Sequence, residues 1–167
     1  MTIINRAGPL FTDLYELTMA AGYYEHRIAS KATFSLFIRE YPPNRKFFVA
    51  AGLKDVLHEL ESFHFSKSDI DYLKTTKLFS NDFISYLKTL RFSGNIHALP
   101  EGTIFFANEP ILEVTAPVVE AQILETVILN TIGFSTMIAS KAARCVHAAK
   151  GRPLIDFSLR RTHEKDA

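Results

Sequence analysis

The segment GRPLIDFSLRRTHEKD, at residues 151–166, carries the residue types of this chain that are best suited to binding chemistry. Phe157 follows a short apolar run, and Arg160 and Arg161 come shortly after it. An aromatic ring offers a flat face, and a guanidinium group offers two parallel donors to a carboxylate or a phosphate. The segment therefore predicts a site for a small, flat anion such as an aromatic carboxylate or a phosphorylated sugar.

The same segment also has a purely structural interpretation. The apolar run at residues 154–157 is typical of a strand buried on both faces, where a phenylalanine is by default a core residue. Arg160 and Arg161 would then be a surface pair that points to different sides of the strand end. The pattern alone leaves ligand binding and packing open.

Several familiar catalytic and metal-binding motifs are absent from the sequence. The six histidines are dispersed without an HxxxH pair, and no second cysteine accompanies Cys145. The sequence has no GxSxG, no GxGxxG and no P-loop. We therefore predict no metal site, and we interpret Cys145 as a core or helix-face thiol.

Composition and charge narrow the class of protein. The 167 residues are 47% hydrophobic and 22% charged, which suits one ordinary folded domain. A net charge of +1 leaves no basic excess for nucleic-acid binding. The N-terminus has no signal-peptide core, and the apolar stretch at 123–139 is interrupted by Glu125 and Asn130. With a single cysteine, we expect a cytoplasmic protein with neither a nucleic-acid nor a membrane partner.

Periodicity and turn signals predict the elements that must position the site. An amphipathic helix is expected from the cap Thr12 or Asp13 to about Glu25, and a strand at 31–40 places Arg39 at its end. A long helix at 117–150, with a possible break at Gly133, leads into the apolar strand at 154–157. The remaining predicted elements are a short strand at 47–49, helices at 53–63, 66–75 and 81–90 with N-caps at Ser66 and Asn81, and strands at 94–100, 103–107 and 111–115.

These elements predict an α/β fold. Residues 1–115 are expected to form an α+β N-terminal domain of helices and short strands. Residues 116–167 are expected to supply a long helix that feeds a buried strand, which is the start of an α/β unit.

Three segments resemble the N-terminal part of nicotinate phosphoribosyltransferases. They are LFTDLYELTMAAGYY at 10–24, FIREYPPNRKFFVAAGL at 37–53 and DFSLRRTHEKDA at 156–167. PEGTIFFANEPILEVTAP and ETVILNTIGFSTMIASKAAR match the family between them, in the same order. The resemblance covers essentially the whole chain and rests on several ordered motifs.

The resemblance implies an activity, cofactors and partners. Enzymes of this family join nicotinate to 5-phosphoribosyl 1-diphosphate, with ATP hydrolysis and Mg²⁺, to give nicotinate mononucleotide and pyrophosphate. This reaction salvages nicotinate into NAD. The resemblance further implies an N-terminal α/β domain, at residues 1–115, packed on an irregular α/β barrel, of which residues 116–167 would be the first elements and which is incomplete in this chain. It also implies a homodimer whose sites are shared between subunits.

Four residues take roles from the resemblance. Phe157 matches the ring that stacks on the pyridine, and Arg160 matches the arginine that meets the nicotinate carboxylate or a nearby phosphate. Tyr15 matches a tyrosine that closes the other face of the pyridine from the neighbouring subunit, and Arg39 matches an arginine that reaches a phosphate. By pattern alone Tyr15, on an amphipathic helix, would be a packing residue.

The resemblance also implies that catalytic parts of the family lie beyond residue 167. The phosphorylated histidine of the family is among them, and His163 is not that residue. We therefore expect an N-terminal portion with little or no activity by itself. The alternatives are a noncatalytic truncated product or assembly module of the same family, and an enzyme that takes nicotinamide instead of nicotinate.

Overall fold

A computed structural model describes residues 8–161, apart from the side chain of Leu159. In this range the chain forms helices and short strands, and it ends in a 3₁₀ turn at Leu159–Arg161. The helices are α1 (Leu14–Glu25), α2 (Leu53–Ser62), α3 (Lys67–Thr76), α4 (Asn81–Thr89), α5 (Val118–Ile123) and α6 (Glu125–Ala149). The strands are β1 (Lys31–Leu36), β2 (Phe48–Val49), β3 (Asn95–Ala98), β4 (Ile104–Phe105) and β5 (Leu112–Pro117).

A three-stranded antiparallel sheet with the order β1-β5-β3 lies at the centre of the fold. The alternation predicted for β1 is confirmed, since Phe34 is half-buried on one face while Thr33 and Ser35 are exposed on the other. On the exposed face the hydroxyl oxygens of Thr33 and Thr115 lie 2.8 Å apart, which ties β1 to β5 across the ladder.

A second, two-stranded sheet joins β2 to β4 and brings Phe48 opposite Phe105. Both rings are fully buried and stack with their centroids 5.4 Å apart. Helix α6 covers this sheet, and the hydroxyl of Ser140 accepts a hydrogen bond from the Val49 amide at 2.8 Å. The β2–β4 pair is thereby fixed against the longest helix of the described residues.

Gly52 makes the turn between β2 and α2. Its φ of +98° lies in the left-handed region that glycine adopts without strain. A Cβ at this position would meet the side chain of Ser135 and the carbonyl of Thr131 at 3.0 Å. The turn therefore requires glycine both for its backbone angle and for the close approach of α6.

The helices predicted before residue 91 are all present, and one of their N-caps is shifted by a residue. Helix α1 is confirmed, and so is the Ser66 cap, which forms a reciprocal capping box with Asp69. The cap predicted at Asn81 is wrong by one residue, because the Ser80 hydroxyl accepts from the Phe83 amide at 3.3 Å and Asn81 is already helical.

The single long helix predicted at 117–150 is two helices, and the expected break at Gly133 is wrong. The chain turns at Leu124 instead, between α5 and α6. Helix α5 packs against α1 and β5, whereas α6 packs against β2 and α2, so one straight axis could not serve both sets of partners. Gly133 stays helical, and its cost of about 1 kcal/mol relative to alanine is small beside the packing of a long helix.

The buried strand predicted at 154–157 is also wrong. This segment is irregular and exposed, and Ile155 is 73% accessible. A strand buried on both faces needs a neighbouring strand and covering layers, and no other described residues supply them to this segment. None of the helices in residues 8–161 combines the length and apolar content needed to cross a bilayer.

Candidate functional site

Tyr15 lies in the first turn of α1, directly after a tight turn in which the Phe11 amide donates to the Gly8 carbonyl at 2.7 Å. Asp13 occupies the N-cap with extended backbone, so the helix begins where the sequence predicts it. The side chain of Tyr15 is 48% exposed, and the packing role that its pattern suggested is therefore wrong. Leu17 and Ala20 on the opposite face of α1 are buried instead.

The hydroxyl of Tyr15 is held by the start of α6. It donates to Oε1 of Glu125 at 3.0 Å, and the amide of Gln122 donates to Oε2 of the same carboxylate at 3.1 Å. The hydrogen bond to Glu125, together with the charges of Glu125, Glu16 and Asp13, raises the pKa of Tyr15 to about 12. Tyr15 therefore stays a neutral donor throughout the physiological pH range.

A buried carboxylate next to Tyr15 joins the same two elements. Glu16 is 1% exposed and accepts hydrogen bonds from the hydroxyls of Thr12 and Thr126, the latter at 2.8 Å. The Thr126 hydroxyl in turn accepts from the Asp13 amide at 3.2 Å. The first turn of α1 is thus bonded through polar groups to the first turn of α6.

Arg39 lies beyond the end of β1. The strand stops at Leu36, but the alternation of exposure continues, so Arg39 is exposed on the same side as Thr33 and Ser35. The backbone beside it is fixed by the Asn108 amide, which donates to the Ile38 carbonyl at 2.8 Å. This guanidinium group is available to a ligand or to a second chain.

Phe157 and Arg160 lie in the irregular segment that follows α6. Phe157 is 76% exposed, and Arg160 is exposed in the 3₁₀ turn. The turn is shaped by Asp156, whose carboxylate accepts from the Ser158 amide at 2.7 Å, and this hydrogen bonding lowers the pKa of Asp156. The alternative in which Phe157 is a core residue is therefore wrong, and so is the strand-end placement of Arg160 and Arg161.

Within the described residues, the four predicted site residues are not joined. No hydrogen bond, ion pair or ring contact links any two of Tyr15, Arg39, Phe157 and Arg160. Tyr15 and Arg39 present exposed side chains from α1 and from beyond the end of β1, and Phe157 and Arg160 from the segment after α6. His163 lies outside the described residues.

Sequence reasoning missed the partner of Tyr15. The sequence singles out Glu125 only as an interruption of the apolar stretch at 123–139, and it assigns no role to Glu16 or Gln122. A buried carboxylate must be hydrogen-bonded, but the sequence carries no signal that Glu16 is buried, because its burial depends on the packing of α5 against α1. Glu125 gave no signal either, since an acidic residue at a helix start is common.

The described residues contain no group of three or more His, Cys, Asp and Glu side chains that could hold a metal ion. Cys145 is exposed on α6, in agreement with the helix-face alternative. Residues 8–161 therefore contribute aromatic rings, arginines and a polar network rather than a metal centre.

The fold and the candidate site thus define an α/β domain. Its exposed aromatic and cationic side chains lie at the start of α1, after β1 and after α6. The same architecture occurs in the crystal structure of human nicotinic acid phosphoribosyltransferase, with a TM-score of 0.84, 34% identity, and coverage of 93% of this chain and 32% of that one. Residues 10–133 match the family model of the nicotinate phosphoribosyltransferase N-terminal domain. The chain belongs to the nicotinate phosphoribosyltransferase family.

Curated relatives agree with this assignment. The chain is 48% identical over 167 residues to the nicotinate phosphoribosyltransferase pncB2 of Mycobacterium tuberculosis, covering all of this chain and 36% of the relative. It is 43% identical over 159 residues to the nicotinate phosphoribosyltransferase of Bacillus subtilis, covering 95% of this chain and 32% of the relative. The chain spans about a third of the length of these relatives.

Proposed function

We propose that this chain is the N-terminal portion of an enzyme that transfers the phosphoribosyl group of 5-phosphoribosyl 1-diphosphate to nicotinate. The products would be nicotinate mononucleotide and pyrophosphate, with ATP hydrolysis driving the salvage of nicotinate into NAD. The observation that carries this proposal is the 48% identity along the entire chain to a nicotinate phosphoribosyltransferase. We further propose that residues 1–115 form its N-terminal domain and 116–167 the start of its barrel, in a cytoplasmic enzyme.

In this proposal Phe157 stacks on the pyridine ring and Arg160 binds the nicotinate carboxylate. Their exposure on one short segment supports the assignment, because both side chains are open to a ligand. A flat heteroaromatic ring prefers an offset stack on a phenyl face, and a guanidinium group binds a carboxylate through two parallel hydrogen bonds.

Tyr15 covers the second face of the pyridine, and Arg39 contacts a phosphate. Tyr15 does not contact Phe157 within this chain, which supports a homodimer in which Tyr15 and Arg39 complete the site of a second subunit. Exposed apolar side chains beside Tyr15, among them Leu14 and Met19, are consistent with such an interface.

The charges around Tyr15 suit the proposed reaction. Cleavage of the C1–pyrophosphate bond leaves an oxocarbenium-like sugar, and the new N–C1 bond makes the pyridine cationic. Glu125, Glu16 and Asp13 lie near the Tyr15 hydroxyl, so a developing positive charge is favoured on that side. The same carboxylates repel the nicotinate carboxylate, which is therefore directed away from them, toward Arg160.

ATP and Mg²⁺ are assigned to the remainder of the longer protein in this proposal. The described residues lack a cluster of three or more His, Cys, Asp and Glu side chains, so they do not fit the metal. The residues of this chain hold and orient the pyridine, and the departing pyrophosphate is neutralised elsewhere.

A chimeric enzyme tests the proposal. This chain replaces the matching 36% of the Mycobacterium tuberculosis relative, and formation of nicotinate mononucleotide is measured with the unaltered relative as positive control. We expect activity within about tenfold of that relative. A folded, dimeric chimera without activity would contradict the proposed function.

Arg160→Ala in the chimera tests the carboxylate contact. Loss of a charge-assisted hydrogen bond is worth about 1.5–3 kcal/mol, so the KM for nicotinate should rise about 10- to 150-fold. Arg152→Ala is the matched control, because Arg152 is exposed on the same segment and has no proposed ligand contact. Equal KM values for nicotinate in the two variants would show that Arg160 does not bind the nicotinate carboxylate.

A further inference from the structure

We propose that Glu125 is a positioning residue, which sets the plane of the Tyr15 ring and so controls how well that ring fits against nicotinate. The inference rests on the proposed function, because it needs Tyr15 to contact the pyridine. It adds to that function Glu125 at the start of α6, a residue to which the family resemblance assigns no role.

The hydrogen bond determines the ring plane. A phenolic O–H prefers to lie in the plane of its own ring, because the oxygen lone pair is conjugated with it. The Glu125 carboxylate accepts this proton at 3.0 Å, so the in-plane direction of Tyr15 is fixed by the position of Oε1. A half-exposed tyrosine without such an acceptor could rotate about its side-chain bonds.

The acceptor is itself held in place. Gln122 is buried, and its amide donates to the second oxygen of Glu125 at 3.1 Å. The bonds from Thr126 to Glu16 and from the Asp13 amide to Thr126 join the backbones on which Tyr15 and Glu125 stand. Both ends of the Tyr15–Glu125 bond are therefore anchored, as a positioning role requires.

A purely electrostatic role for Glu125 makes a different prediction. If its charge alone mattered, Glu125→Gln and Glu125→Leu would have the same effect, and the effect would not need the Tyr15 hydroxyl. If Glu125 acts by holding that hydroxyl, Glu125→Gln keeps an accepting oxygen and preserves most of the function. The two roles are thus separated by a conservative variant and by a double-mutant cycle.

The kinetic experiment uses the active chimera described above. We expect Glu125→Leu to raise the KM for nicotinate about three- to tenfold, the value of one hydrogen bond, on top of the decrease in kcat that loss of the carboxylate charge causes. Glu125→Gln should restore most of the affinity, and Glu125→Leu should have no further effect in a Tyr15→Phe background. Glu61→Leu, at an exposed glutamate of α2, is the control.

Two kinetic results would overturn the proposal. One is an equal rise in KM for the Gln and Leu variants, and the other is an undiminished effect of Glu125→Leu when Tyr15 is already Phe. Both require an active chimera, so they are distinct from failure of the proposed function, which abolishes activity before any variant is made.

A second readout uses the 167-residue chain without any enzyme assay. The ring-carbon NMR signal of Tyr15, assigned with Tyr15→Phe, reports ionisation of its phenol at pH 11. Charged groups facing this phenol are Asp13 and Glu16 on α1 and Glu125 on α6. With a pKa of about 12, Tyr15 should remain mostly protonated, whereas Glu125→Leu should leave it mostly ionised. An identical signal in both chains would show that the hydrogen bond is not formed.

Discussion

Removal of the Thr126 hydroxyl should destabilise the fold far more than its partly exposed position suggests. Thr126→Val keeps the shape of the side chain but deletes the donor that reaches the fully buried carboxylate of Glu16 at 2.8 Å. A hydrogen bond to a buried charged group contributes about 1.5–3 kcal/mol, and the lost acceptor for the exposed Asp13 amide adds little because water replaces it. We expect a loss of about 2–3 kcal/mol.

Urea unfolding of the 167-residue chain measures this loss. A chain of this size shifts its midpoint temperature by about 2–4 °C per kcal/mol, so thermal unfolding should show a decrease of about 4–12 °C. Thr126→Ser keeps the hydroxyl and should restore most of the stability.

The matched control is Thr18→Val, at an exposed position of α1. The Thr18 hydroxyl donates only to the Tyr15 carbonyl of its own helix, at 2.8 Å, so this substitution should cost less than about 0.5 kcal/mol. If Thr126→Val and Thr18→Val unfolded at the same urea concentration, the bond between Thr126 and Glu16 would not stabilise the protein. The structural basis for anchoring Tyr15 would then be lost as well.

Three further predictions concern stability, and urea midpoints check all of them. Gly52→Ala should lower the free energy of unfolding by at least about 1 kcal/mol more than Gly102→Ala. Both glycines have positive φ, but of these two an added Cβ meets close neighbours only at Gly52. Equal losses of stability in the two variants would contradict the crowding at Gly52. Ser66→Ala should cost about 1 kcal/mol through loss of the α3 capping box, and an unchanged midpoint would show that the cap is dispensable. Phe157→Ala should change the free energy of unfolding by less than about 0.5 kcal/mol, because the ring is exposed. A loss of about 3–5 kcal/mol would instead show that Phe157 is buried, as the predicted strand requires.

Local signals in the sequence predict most of the fold correctly. The caps, the alternation of β1 and the turn residues act over a few positions, so they can be read without knowing the partners of each element. Helix α1 and the Ser66 cap were predicted for this reason. The two larger errors, at Leu124 and at 154–157, depend on what packs against those segments, and periodicity does not contain that information.

In the candidate site, too, the local motifs were predicted from the sequence and the long-range contact was not. Family motifs single out Tyr15 and Arg39, and the structure shows that both are exposed. The hydrogen bond from Tyr15 to Glu125 spans more than a hundred positions of sequence, and nothing in the surroundings of Glu125 announces it. Such a pair becomes visible only when the fold brings the start of α6 beside the start of α1.

The order of strands in the central sheet governs when this domain can form during synthesis. β5 is the middle strand, and Lys31 of β1 pairs with Pro117 at its far end. At about 5–20 residues per second, β1 therefore waits on the order of ten seconds on the ribosome for β5, the strand it pairs with in residues 8–161. Helices α3 and α4, which pack on each other, can associate much earlier. During that interval the alternating apolar residues of β1 stay without their strand partner, which leaves an unpaired edge open to pairing with other chains.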